Sequence, residues 1–264
     1  MIIDGKAIAR KIIEELKKLP KLGKALAAVF VGDSAASESF LKQKRKIAEE
    51  LGIEFRLVRF SELISEADLI KEIKTLGENN EIGGILIQLP LPGKFDRDRV
   101  LAAINPAKDV DALTAAAPVS ALAVEVVKDV LDATRFAISD AVVGVVGRGI
   151  LIGQPIAEWL SGRCREVIIF HTQTDFTRLK DCDLVIIGVG KAGLVKPEML
   201  QSGAGVIDFG FDVVDGKIAG GLDASRSTIH DSRLTFYTPT PGGTGPILVA
   251  EIFKNFYRLN GQLT

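Results

Sequence analysis

One stretch restricts the possible folds of this chain more than any other. Val142-Val143-Gly144-Val145-Val146 leads into Gly147-Arg148-Gly149-Ile150-Leu151-Ile152-Gly153, and Gln154-Pro155 follows. A short valine-rich run bounded by glycine reads as a buried strand, and a helix is expected from about Pro155 to Leu160. Glycines lack a Cβ, so such a turn lets the backbone approach a pyrophosphate, and the helix N-terminus behind it favours the negative charge. The spacing Gly-x-Gly-x-x-x-Gly is one residue longer than the usual dinucleotide fingerprint. Alone, it fits equally a strand-to-helix turn that binds nothing. Its neighbourhood weighs against that.

Strand and helix patterns alternate on both sides of the turn. Before it, helices are expected over 8–19, 37–51 and 66–76, and strands over 25–31, 55–60 and 84–89. Ser37 is the expected N-cap of the second helix and Gly52 its C-terminal glycine. A helix over 120–131 precedes the strand at 141–146. Strands follow at 167–170, 184–189 and 205–209 with short helices between them. A hairpin over 211–219 turns at Asp215-Gly216, a last strand covers 235–237, and an amphipathic helix covers 247–259. Strands separated by helices argue for parallel sheets covered on both faces. The expected fold is therefore α/β with two lobes, 1–118 and 119–238.

Bulk charge excludes some partners. Lys plus Arg number 33 and Asp plus Glu 34 in 264 residues, so no net field draws nucleic acid or an anionic membrane. Apolar runs fall short of the roughly 18 residues of a spanning helix, and the N-terminus carries charge where a secretory signal needs an apolar core. Cys164 and Cys182 make no disulfide framework, which fits a reducing cytoplasm, and two distant histidines offer no metal site.

The next strand decides which dinucleotide fits. An NAD site usually carries Asp or Glu at that strand's tip, to bond the ribose 2′-hydroxyl. Here the tip reads Phe170-His171-Thr172-Gln173-Thr174, without an acid. Arg148 and Thr172 suit a 2′-phosphate instead, since a guanidinium can donate two parallel charge-assisted bonds. The expected cofactor is NADP; the alternative is a solvated Arg148 that discriminates nothing.

Elsewhere, Phe40 and Lys44 lie four residues apart, so on a helix they share a face and could stack a flat heterocycle beside an amine. Lys42, Lys44, Arg45 and Lys46 equally form a charge run, whose commoner meaning is a solvated helix face. The segments Phe40-Leu41-Lys42-Gln43-Lys44, Gly84-Ile85-Leu86-Ile87-Gln88-Leu89-Pro90-Leu91-Pro92, Lys108-Asp109-Val110-Asp111 and Thr238-Pro239-Thr240-Pro241-Gly242-Gly243-Thr244-Gly245-Pro246 occur in this order. Nearly the whole chain thereby resembles the bifunctional methylenetetrahydrofolate dehydrogenase/cyclohydrolase (FolD) family. The resemblance implies NADP-dependent oxidation of a tetrahydrofolate derivative in a cleft between the lobes, a hydrolase step, and a homodimer, with residues 239–264 returning to the first lobe (1–118 plus 239–264). It also implies a catalytic Lys44 with Gln88 as its partner, and Asp111, not the equally acidic Asp109, on the pterin. Phe40, Ile87, Leu89, Pro241, Gly242 and Gly243 are expected at the substrate. Gly147, Arg148, Gly149, Gly153, Thr172 and Phe211 are expected at the cofactor.

Several positions depart from that family. Phe40 replaces a tyrosine, Ala112 a glycine, Gly149 a serine and Gly221 an aspartate. The loop after Asp111 is shortened, and Ser120 stands for the threonine of Pro-x-Thr-Pro. Hydride transfer needs mainly aligned rings, whereas hydrolysis also needs a placed water and proton transfers. A weakened hydrolysis is therefore expected. Two alternatives stay open: a binding paralogue without turnover, and a two-lobed dehydrogenase for another small substrate.

Overall fold

The computed structural model describes residues 1–171, 174–224 and 234–263, and the chain divides into two compact units. One comprises Arg10–Leu122 with Val249–Thr264 and is built on three strands. The other comprises Met1–Ala9 with Ala123–Leu248 and is built on five.

In the three-stranded unit, β1 (Ala25–Val31), β2 (Glu54–Phe60) and β3 (Ile82–Ile87) form a parallel sheet in the order β2-β1-β3. Every residue of β1 and β3 is buried, as in a parallel sheet covered on both faces, while β2 is an edge strand with half-buried and exposed positions. The connecting helices are α2 (Ala35–Leu51), between β1 and β2, and α3 (Glu66–Glu78), between β2 and β3. The N-cap of α2 is Ser34, whose hydroxyl accepts from Ser37 N at 3.4 Å. Ser37, expected as the cap, lies inside the first turn and is buried. Gly52 closes α2 at φ 70°, a left-handed conformation that glycine adopts without a Cβ penalty. A single-turn helix, α4 (Arg97–Leu101), follows β3. Its five residues are too few for a periodic pattern, and only the Asp96 cap marks it in the sequence.

α1 (Gly5–Leu16) begins in the five-stranded unit and ends in the three-stranded one. α7 (Thr244–Leu259) makes the same passage and delivers Phe253, Phe256 and Tyr257 to the core. Gly84 in β3 is required by that packing, because a Cβ there would lie 2.6 Å from Val110 Cγ1 and 2.7 Å from the Phe256 ring.

In the five-stranded unit, β4 (Val142–Val146), β5 (Glu166–Phe170), β6 (Leu184–Ile187), β7 (Gly205–Asp208) and β10 (Phe236–Tyr237) run parallel in the order β10-β7-β6-β4-β5. α5 (Leu122–Thr134) precedes β4, and α6 (Gly153–Leu160) joins β4 to β5. The helices expected between the later strands are short 3-10 turns, Phe176–Asp181 and Pro197–Met199. β8 (Asp212–Val214) and β9 (Lys217–Ala219) form the expected hairpin, turning at Asp215 and Gly216 with φ 49° and 72°.

The observed units differ from the expected lobe boundaries at residues 1–9, 119–122 and 239–248. Ile2 bridges Tyr237, Ile3 N donates to Tyr237 O at 2.9 Å, and Tyr237 N donates to Met1 O at 3.0 Å, so the first residues extend the β10 edge. Thr244 Oγ1 donates to Asp208 O at 2.8 Å, which ties the start of α7 to β7. The last helix returns to the three-stranded unit from Val249.

Candidate active site

A parallel sheet offers its ligand crevice outside the carboxyl ends of its strands, where the strand order reverses. In the three-stranded unit that point lies between β1 and β3, because β2 adds on the far side of β1. Gln88 N donates to Val29 O at 2.8 Å, which carries the pairing of β3 with β1 one residue past the strand. The Gln88 amide Nε2 donates to Leu89 O at 2.7 Å, so Oε1 is left facing Lys44 Nζ at 3.0 Å. Lys44 projects from α2, one turn beyond the half-buried Phe40. The neighbouring Lys42, Arg45 and Lys46 are exposed and Lys44 is half-buried, so only Lys44 leaves the solvated face of the charge run. Burial pulls the Lys44 ammonium below the ordinary lysine range, and the attraction of Asp111 opposes it.

The two acids of Lys108-Asp109-Val110-Asp111 take different environments. Asp109 is fully buried, and its Oδ2 accepts from Thr114 N at 2.7 Å and Thr114 Oγ1 at 2.8 Å. Asp111 is half-buried beside Lys44, and its carboxyl is pushed up to about 6. Burial is the main cause; the Lys44 charge lowers it and the Asp109 charge raises it. Ala112 sits at φ 52°, a left-handed backbone that costs a residue with a Cβ roughly 1–2 kcal/mol. Ile87 is a core residue at the end of β3, and Leu89 is half-buried after it.

In the five-stranded unit the strand order reverses between β4 and β6, at the glycine turn itself. Gly147 lies at φ 102° and donates to Phe170 O at 2.8 Å. A Cβ on Gly147 would meet Val189 Cγ1 at 2.7 Å, and one on Gly153 would lie 2.0 Å from Gly147 O. Only glycine lets α6 begin against the turn. Gly149 has no atom within 4 Å of a built Cβ, and Arg148 is exposed. Thr172, the expected partner of Arg148, lies outside the described residues, whereas His171 at the β5 tip is exposed. Phe211, just past β7, is 39% exposed.

The Pro241-Gly242-Gly243 segment belongs to the same unit. Gly242 lies at φ 103°, and Gly243 N donates to Pro239 O at 2.8 Å. A Cβ on Gly5 would fall 1.7 Å from Gly243 O, so the first turn of α1 abuts this loop only as glycine. Thus Phe40, Lys44, Ile87, Gln88, Leu89 and Asp111 share one unit, and the glycine turn, Phe211 and Pro241–Gly243 share the other.

Sequence reasoning missed Asp208. This carboxylate is buried, with Oδ1 accepting from Gly210 N at 2.7 Å and Gly221 N at 3.2 Å, and Oδ2 from Leu222 N at 2.9 Å. Its backbone N donates to Thr238 Oγ1 at 2.7 Å. Asp208 therefore joins the end of β7 to both flanks of the Pro-Gly-Gly loop. The available signal was an acid closing the apolar run Gly205-Val206-Ile207.

Residues 3–111 match the family described as tetrahydrofolate dehydrogenase/cyclohydrolase, catalytic domain, and residues 121–262 match its NAD(P)-binding domain. The chain belongs to the tetrahydrofolate dehydrogenase/cyclohydrolase family. The bifunctional protein FolD of Halothermothrix orenii is 34% identical over 279 residues, 96% of this chain and 95% of that protein. Among solved structures, the bifunctional FolD methylenetetrahydrofolate dehydrogenase/cyclohydrolase of Campylobacter jejuni superposes with TM-score 0.93 at 29% identity, covering 98% of each chain. The Trypanosoma brucei methylenetetrahydrofolate dehydrogenase-cyclohydrolase, complexed with NADP cofactor and inhibitor, gives 0.90 at 27%, covering 98% and 97%.

Within this family, the departure at Gly221 has a steric account. A Cβ there would lie 2.5 Å from Ile187 Cγ2 and 3.3 Å from Asp208 Oδ1, and the Gly221 N–H already serves Asp208. An aspartate would crowd the strand and set a second carboxylate beside the first. Gly149, in open space, has no such constraint.

Proposed function

We propose that the chain oxidises 5,10-methylenetetrahydrofolate to 5,10-methenyltetrahydrofolate with NADP and hydrolyses that product weakly to 10-formyltetrahydrofolate. The observation that carries the reading is the Lys44–Gln88 pair at 3.0 Å beside the raised Asp111 carboxyl, in a chain of this family. Ionised Asp111 has two oxygens that can accept a pterin's ring N–H and exocyclic amine as a pair. Lys44, drawn toward neutrality, can take a proton from a water adding to the methenyl carbon, and Gln88 holds it in place. Phe40 supplies a stacking face only.

The glycine turn supports a dinucleotide site there, since the missing Cβ atoms of Gly147 and Gly153 let the N-terminus of α6 start directly at the turn after β4. Gly147, Gly149 and Gly153 would offer backbone to the pyrophosphate, with Arg148 and Thr172 at the 2′-phosphate and Phe211 nearby. When bound, the nicotinamide ring supplies a hydride acceptor.

A paralogue without turnover is the competing reading, motivated by the departures. The Lys44–Gln88 hydrogen bond argues against it, and the Gln-Leu-Pro-Leu-Pro segment with Asp111 argues against an unrelated substrate. Absorbance of purified protein with methylenetetrahydrofolate and NADP tests all three. Turnover supports the proposal, binding alone supports the paralogue, and neither supports another substrate.

The reading extends to a cytoplasmic homodimer supplying one-carbon units to purine biosynthesis, with no membrane or nucleic-acid partner. Family membership supports the first part and the balanced charge the second. Light scattering showing a monomer would remove the dimer.

A further inference from the structure

The segment from Asp109 to Ser120 is fixed at several places around Asp111, and none of those contacts uses the Asp111 side chain. Asp109 takes the N–H and hydroxyl of Thr114 on Oδ2; burial pushes its carboxyl up, and these bonds, with the N–H groups of Leu113 and Asp111, oppose that. The loop therefore folds back onto one buried carboxyl, with Ala112 turned left-handed between Asp109 and Thr114. Val110, between the two acids, is fully buried, and its N–H donates to Ile85 O at 3.4 Å. From α7, the buried Asn255 amide donates to Val110 O at 3.0 Å and to Ser120 O at 3.1 Å, which closes the loop at its base. Arg258 Nη1 donates to Asn255 Oδ1 at 3.2 Å and so fixes which way the amide points.

We infer that Asp109, Thr114 and Asn255 form a clamp that holds the Asp111 carboxylate in place for the substrate, and that they are positioning residues. The inference rests on the reading of Asp111 as the pterin-binding acid. Recognition by a pair of hydrogen bonds is lost with small displacements, so a short loop carrying one half of the pair must be rigid before the ligand arrives. Two neighbouring acids divide the work: Asp109 organises the backbone, and Asp111 is kept for the ligand. The clamp also sets the charge beside Asp111, since Asp109 and Lys44 are the charged groups that act on its carboxyl.

The test uses the full chain and steady-state kinetics with methylenetetrahydrofolate and NADP. Thr114→Val keeps the side chain's shape and removes the hydroxyl. It is expected to raise the folate KM roughly tenfold, the loss of one hydrogen bond to a charged group. The kcat and the NADP KM should stay within about threefold. Thr114→Ser should restore the folate KM, which a loss of packing alone would not allow. Asp109→Asn should move the acid limit of folate binding to lower pH, because it removes a like charge near Asp111. An unchanged folate KM in Thr114→Val overturns the clamp. So does a uniform loss of kcat, both KM values and Tm that serine does not rescue. Asp111→Ala, measured alongside, separates the two ideas. If it raises the folate KM while the clamp variants do not, the site stands and the clamp falls. If it too has no effect, the assignment of Asp111 falls and the clamp falls with it.

Discussion

Asp111 and Lys44 are neighbouring groups whose ordinary charge states are both disfavoured by burial and sustained by each other. The sign of the resulting pH dependence follows from which form binds. The carboxylate accepts the pterin donors, and the neutral acid has lost one of the two acceptors, so binding should be full above the Asp111 value of about 6 and fall below it. The expected outcome is that affinity for a non-reacting folate analogue drops roughly tenfold per pH unit below that point, and that Asp111→Asn flattens the profile. Calorimetric titration from pH 4.5 to 7.5, in order-of-magnitude steps of affinity, checks it; a flat wild-type curve counts against Asp111. Phe40 lacks the hydroxyl that a tyrosine would carry there. Phe40→Tyr restores a hydroxyl one helical turn from Lys44 and leaves the ring shape nearly unchanged. It should raise hydrolysis of the methenyl product by about tenfold or more, within the range of one added proton-transfer group, and change oxidation less. Efficient wild-type hydrolysis that the tyrosine does not alter would end the idea of a weakened step. The sequence offered Asp109 and Asp111 as equals. Their difference depends on Thr114 folding back onto one of them, a contact five residues along the chain that no local pattern announces.

At the scale of elements, most strands were legible because runs such as Ala25–Val31 and Leu184–Ile187 are wholly buried and therefore continuously apolar. Short or capped pieces were not. Ser34 rather than Ser37 caps α2, and α4 and the two 3-10 turns lack the length that makes a period visible. The turn from β4 to α6 was legible as a shape, and its selectivity can be tested as one. Arg148 is exposed and the β5 tip carries no acid at His171, so a 2′-phosphate is not repelled there. Arg148→Ala should lower the NADP-to-NAD ratio of kcat/KM by about tenfold or more, since a charge-assisted bond is worth roughly 1.5–3 kcal/mol. Gly149→Ser should fit without rearrangement, because nothing lies within 4 Å of its Cβ, and should tighten NADP about tenfold through one hydrogen bond to the charged phosphate. Gly153→Ala is the contrast: its Cβ would enter the Gly147 carbonyl at 2.0 Å, and NADP binding should be lost. Fluorescence titration of the three variants measures this. A tolerated Gly153→Ala would show that α6 does not need to start so close to the turn.

For the whole molecule, the alternation of strands and helices made the two-unit α/β plan readable, but not where the chain passes between the units. Those passages fall inside helices, at Ala9/Arg10 in α1, Leu122/Ala123 at the start of α5 and Leu248/Val249 in α7, where the apolar period runs on across the boundary. Residues 1–9 fall in the five-stranded unit through a backbone ladder onto Tyr237, more than 200 residues away, and backbone pairing leaves little trace in side-chain pattern. The division has a consequence for folding. The three-stranded unit is discontinuous, and its last piece brings Phe253, Phe256 and Tyr257, each at most 1% exposed. Burying a large apolar side chain contributes about 1.5–3 kcal/mol. Three of them are therefore comparable with the roughly 5–15 kcal/mol by which a whole domain is stable. Asn255, on the same helix, also closes the Asp111 loop. A fragment ending at Leu122 should accordingly lack a stable fold: its circular dichroism should show no cooperative thermal transition. Fusing residues 249–263 to it through a flexible linker should restore the transition, because the missing contacts are supplied by that helix and not by the five-stranded sheet. A cooperative melt of the fragment alone would show that α1, α2 and α3 suffice to cover the sheet, and that α7 serves the Asp111 loop more than the core.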